Sequence, residues 1–89
     1  MISNNHNRDH IKEYLIPVIY LIQKEMNHTE AFKEVANKLR VTKQTVNDRC
    51  SRGIDISTHE FVNLVKTNKI KEHLLMKFPE KADILNRYL

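Results

Sequence analysis

Eighty-nine residues make one small domain, large enough for a single core and too small for a two-lobed cofactor-binding enzyme, so no enzyme is expected. A hydrophobic content of 40% without tryptophan, 29% charged residues and a net charge of +4 suit a soluble intracellular chain that attracts polyanions. No apolar run approaches the roughly 18 residues of a membrane span, the polar start is no signal peptide, and the lone Cys50 excludes an internal disulfide framework and fits a reducing compartment.

One glycine and two prolines leave few hairpin turns, and no strict alternation of a half-buried strand persists, so the chain reads as all-α. Residues 1–8 are expected to fray, which leaves one helical domain over 9–89. A first helix fits Asp9 to Met26, with Ile11, Tyr14, Leu15, Val18, Ile19, Ile22 and Met26 at helical spacing. Pro17 lies inside it and either kinks it or makes it begin anew. Its segment "LIPVIYLI" is apolar nearly all round, which suits a central core helix, or a helix facing a partner subunit.

A second helix is expected to begin at Thr29 as N-cap and to run through Phe32, Val35, Ala36 and Leu39. Thr42 is the next N-cap, and a third helix takes Lys43 to Arg52, burying Val46 and Cys50, with Gly53 as C-cap glycine. Ser57 and Glu60 form a capping box before Phe61, Val62, Leu64 and Val65, which predict a fourth helix. Ile70, Leu74, Leu75 and Phe78 make a fifth, stopped by Pro79, and Ala82, Leu85, Tyr88 and Leu89 suggest a short sixth. The sum is a compact five- or six-helix domain, and no hairpin follows the third helix to form a wing.

Residues 29–52 carry the motif. Ala36 is small where two helices cross closely, Leu39 follows three residues later, Val41 plugs the turn, and Val46 closes the small core from the other side. "VANKLRVTKQTV" resembles the helix-turn-helix DNA-binding proteins of bacteria, archaea and their phages, through Val35, Ala36, Leu39, Val41, Thr42, Thr45 and Val46. It departs from them at Arg40, where the turn glycine is usual, and at Arg49, where an apolar residue is. Arg40 suits a turn that needs no positive φ, and Arg49 can lay its stem along the core edge. A second, shorter resemblance is that of "TVNDRCSRGIDISTHEFVNLV" to small helical domains accompanying restriction-type nucleases.

With Val46 and Cys50 inward, the outward positions of the third helix are Lys43, Gln44, Asn47, Asp48, Ser51 and Arg52. The resemblance implies that this helix enters the major groove of double-stranded DNA. Lys43, Gln44 and Asn47 are then the base contacts, and Thr42, Thr45, Arg49, Ser51 and Arg52 the backbone contacts. Asp48 pairs with Arg52 four residues on, or accepts from a cytosine amino group. Charge supports the placement: residues 29–53 hold six basic and three acidic side chains, net +3 of the total +4.

The expected function is sequence-selective DNA binding by a prokaryotic or phage transcription regulator, cytoplasmic and nucleoid-associated, completed by a homodimer or a larger host protein. The competing readings are a protein-interaction domain on the same scaffold and an accessory DNA-recognition module of a restriction-type enzyme. No metal or cofactor is expected. His6 and His10 are four apart but lack a cysteine pair or carboxylate at ligand spacing, and Cys50 faces the predicted core rather than a substrate. The lysines from Lys66 to Lys81 alternate with acids as a solvated surface does.

Overall fold

The computed structural model describes residues 9–89, and Asp9 caps the first helical segment among them. Both the expected fraying of residues 1–8 and His6 lie outside the described residues. The Asp9 carboxylate accepts from the backbone N–H of Ile11 at 2.9 Å and of Lys12 at 3.1 Å. Burial pushes its carboxyl up, but those hydrogen bonds and the ammonium of Lys81 outweigh burial and hold it below the ordinary carboxylate value.

The segment His10–Leu15 is π-helical, and the Ile16 N–H closes on the Ile11 carbonyl five residues back. Pro17 has no N–H to give and its ring would crowd the carbonyl four residues back, so the wider turn ahead of it removes the conflict. The chain then begins anew as helix α1, Ile16–Gln23, three residues short of the expected end at Met26. It lies centrally, burying Val18, Ile19 and Ile22 and leaving Tyr20 exposed.

Helix α2 is His28–Leu39, α3 is Lys43–Cys50, α4 is Thr58–Lys66, α5 is Ile70–Lys77 and α6 is Ala82–Tyr88; short 3₁₀ turns occupy Arg52–Ile54 and Pro79–Lys81. Among the described residues there is no strand, hence no wing, and the fold is all-α with six α-helices. Asn27, not Thr29, caps α2: its side-chain oxygen accepts from the Thr29 N–H at 2.7 Å, which places Thr29 inside the first turn. Thr42 and Ser57 do cap α3 and α4, accepting from the N–H groups of Thr45 at 3.1 Å and Glu60 at 3.0 Å.

One device closes four helical segments. A residue in the left-handed region turns the chain, and the next N–H reaches back five residues to a carbonyl: Glu25 with Met26 to Leu21, Arg40 with Val41 to Ala36, Asp55 with Ile56 to Ser51, and Asn68 with Lys69 to Leu64. Glycine is the usual occupant of that bend because it has no Cβ to clash. None of the four is glycine. Met26, Val41 and Ile56, immediately after three of the bends, pack against the core and help hold them.

The core is continuous. Leu15, Val18, Ile19, Ala31, Val46, Cys50, Ile54, Phe61, Leu74 and Leu85 are fully buried, so every α-helix supplies at least one side chain with no solvent contact, and α2 adds Phe32, Val35 and Ala36 to Ala31. Lys81 pairs with Asp9 at 3.3 Å and Lys77 with Asp55, tying the C-terminal helices to the π-helical turn and to the bend after α3.

Candidate nucleic-acid interface

Three residues, Arg40 to Thr42, separate the end of α2 from the start of α3. The turn needs a left-handed residue, and Arg40 takes it at φ 60°, ψ 43°, so the condition under which Arg40 would sit there without strain is not met. The Ala36 carbonyl receives the N–H of both Arg40 and Val41, the latter at 3.0 Å, so the turn is fixed by backbone bonds rather than by glycine. Thr42 then caps α3, and the Thr42 and Thr45 hydroxyls lie 2.9 Å apart in hydrogen-bond contact.

Two flanks grip α3. On one side, the first residue of α4 reaches it: the Thr58 hydroxyl donates to Oδ1 of Asn47. One turn later Ser51 donates its hydroxyl to the Asn47 carbonyl at 2.8 Å. Ser51 is 7% exposed. Its expected outward position is therefore corrected: the hydroxyl satisfies a helix-end carbonyl at the α4 side, and nothing is left to meet solvent. His28, Phe32, Lys43, Gln44, Asn47 and Thr58 border a small recess of about 190 Å³ on this flank.

On the other side stands the π-helical turn. The guanidinium of Arg49 lies over the Tyr14 ring at 5.6 Å, and the ring of His10 meets Tyr14 edge-on at 6.3 Å. His10 also donates from Nε2 to the Arg49 carbonyl at 2.7 Å, since a carbonyl only accepts. Gly53 makes room for this. A Cβ there would meet the His10 ring at 2.2 Å, and its φ is not positive. The C-cap role expected of Gly53 is thus corrected: α3 ends at Cys50, and the left-handed bend falls two residues after Gly53, at Asp55.

Between the flanks lie the remaining candidates. Lys43, Gln44 and Arg52 are exposed, as is Arg49 beyond its contact with Tyr14; Thr45, Asn47 and Asp48 are partly buried. Asp48 accepts from Nε2 of Gln44 at 3.2 Å. The expected pairing with Arg52 is absent, the ion pairs among the described residues being Lys77 with Asp55 and Lys81 with Asp9. Asp48 is the sole acid of α3, among exposed Lys38, Arg40, Lys43, Arg49 and Arg52.

His10, Tyr14 and Thr58 escape a reading by sequence alone, because each reaches α3 from another element. Only the position of Thr58 just after the Ser57 cap hints that its hydroxyl is near a helix start. Elsewhere His28 stacks edge-on against Phe32, and Nε2 of His73 is buried without a partner. Burial pushes the Cys50 thiol up, which keeps it protonated and unreactive. A cleft of about 840 Å³ between the end of α1 and the end of α4 is lined by none of the candidate residues. Among the described residues no helix is long and apolar enough to cross a membrane, and no group of three or more His, Cys, Asp or Glu is gathered as a metal site would need. Comparison of the chain with protein-family models, with curated proteins and with solved structures finds no match in any of the three.

Proposed function

We propose that α2, the Arg40 turn and α3 act as a helix-turn-helix that binds double-stranded DNA, with α3 in the major groove. The observation that carries this is the exposure of one face of a short, N-capped helix held on both flanks, bearing Lys43 and Gln44, with Arg52 exposed in the turn that follows, among an excess of basic residues. An α-helix is about 10–12 Å across with its side chains, a diameter that a major groove about 12 Å wide accepts.

In this reading Lys43, Gln44 and Asn47 face base edges, and Thr42, Thr45, Arg49 and Arg52 meet the sugar-phosphate backbone. Ser51 has no part in it, since its hydroxyl is bonded inward. Arg49 is held against the Tyr14 face, which lowers the entropy lost on meeting a phosphate. One such helix reads few base pairs, so a second copy or a host protein is part of the proposal.

Fluorescence anisotropy with mixed duplexes tests it. Binding at low salt that weakens as salt rises is expected, with Arg52→Ala weakening all sequences alike. Absence of binding at low salt overturns it. A second reading, protein docking, is favoured by the exposure of Met76 at 86% and Tyr88 at 51% on α5 and α6. Sedimentation of the free chain and of a Met76→Lys variant checks whether that surface joins two copies.

A further inference from the structure

The hydrogen bonds within and beside α3 divide its outward polar groups by sign. Asn47 has one lone pair of Oδ1 committed to the Thr58 hydroxyl on α4, so the groups it retains for a partner are mainly the N–H bonds of Nδ2. Lys43 only donates. Gln44 directs its Nε2 to Oδ1 of Asp48 and thereby turns Oε1 away as an acceptor. Asp48 keeps Oδ2 and its charge, with no cation of its own helix paired to it. The first turn and the α4 flank therefore donate, while the Gln44 and Asp48 pair, one turn apart on the outward midline, accepts.

A carboxylate facing a polyanion is a liability unless it meets a donor. In the major groove the donors are the N4 amino group of cytosine and the N6 amino group of adenine. Adenine sets its N7 lone pair beside N6, which repels a carboxylate; cytosine presents no acceptor on that edge. We infer, resting on the DNA-binding reading above, that Asp48 is a specificity-determining residue that accepts from a cytosine N4 amino group. Gln44 positions the carboxylate, and Lys43 and Asn47 donate to a neighbouring guanine at O6 and N7. The preferred half-site then has a G·C core, and the acid that weakens attraction to DNA in general is what selects among sequences.

The experiment is selection by the full chain from a randomised duplex pool, repeated with Asp48→Ala after circular dichroism has shown the variant to be folded. The wild type should enrich cytosine at one position, and Asp48→Ala should lose about tenfold in preference there while binding unselected DNA at least as tightly. Replacing that cytosine by pyrimidin-2-one, which lacks the amino group, should cost the wild type about tenfold and the variant nothing. Identical base preference in the two proteins, or equal sensitivity to the missing amino group, overturns the inference and leaves DNA binding standing. Failure of the wild type to bind any duplex at low salt overturns the DNA-binding reading itself, and this inference with it.

Discussion

The two ends of α3 meet the same demand with opposite residues. Before α3, a left-handed bend that glycine would occupy without strain is held by Arg40 at φ 60°. After α3, the chain's one glycine, Gly53, has an ordinary φ and instead yields space to the imidazole of His10. The N-terminal end is thus fixed by backbone bonds to the Ala36 carbonyl and by packing of Ala36 and Val41, at a conformational cost. The C-terminal end is fixed by a side chain from a distant element, with no cost at the glycine. A glycine here reports a close approach, and an arginine marks the strained bend.

The largest test enlarges Ala36, which is 3% exposed on α2 and whose carbonyl closes the turn to α3. Ala36→Leu should destabilise the fold by about 2 kcal/mol, because a site so buried has no space for the added methyl groups. Urea denaturation would show it as a lowered midpoint. A change below about 0.5 kcal/mol would mean that Arg40, not close packing, fixes this end.

Next comes Gly53→Ala. The new methyl group must displace the His10 ring, breaking its bond to the Arg49 carbonyl, for a loss of about 1 kcal/mol. His10→Ala should cost a similar amount, and the double variant little more than either alone, since both remove one interaction. Additive losses would separate the glycine from His10 and break the comparison.

The reading of sequence does well where an element carries its own signal and poorly where another element decides. Periodicity located all six helices, and the local caps Thr42 and Ser57 were legible because a cap oxygen and the N–H that donates to it lie three residues apart. The assignment of Thr29 failed because Asn27, equally good as a cap, stands two residues earlier. Glycine used as a marker of helix ends misplaced the end of α3 and gave no sign of the bends at Glu25, Arg40, Asp55 and Asn68. In the candidate site, outward exposure of Lys43 and Gln44 followed from helical spacing, but spacing could not show that Arg52 lies past the end of α3, that Ser51 turns inward or that Thr58 holds Asn47. Those depend on where α4 packs.

Arg40→Gly reverses the usual direction. Relief of the left-handed conformation outweighs the greater freedom glycine gives the unfolded chain, for a net gain of about 0.5 kcal/mol. Thermal unfolding should show a raised Tm, and a lowered one would mean that the Arg40 side chain has a stabilising contact of its own. The same variant should bind DNA less well at low salt, since one exposed cation beside α3 is lost.

The smallest effect concerns acid and touches only the C-terminal side of the comparison. Asp9 caps the π-helical turn that presents His10, and its carboxyl is held below its ordinary value, so the folded state prefers the carboxylate more than the unfolded chain does. Its contribution is complete above the unfolded value near pH 4 and is lost as pH falls through the lower folded value. Asp9→Asn should therefore be less stable than the wild type at pH 6, and the gap should close as pH drops below about 4, read as converging Tm values. If Asp9 acts through the placement of His10, the gap should shrink in a Gly53→Ala background, where His10 is already displaced, and persist in Arg40→Gly. An equal gap in both backgrounds would confine Asp9 to capping its own turn and to the pairing with Lys81, leaving the two ends of α3 independent of the π-helical turn's own cap.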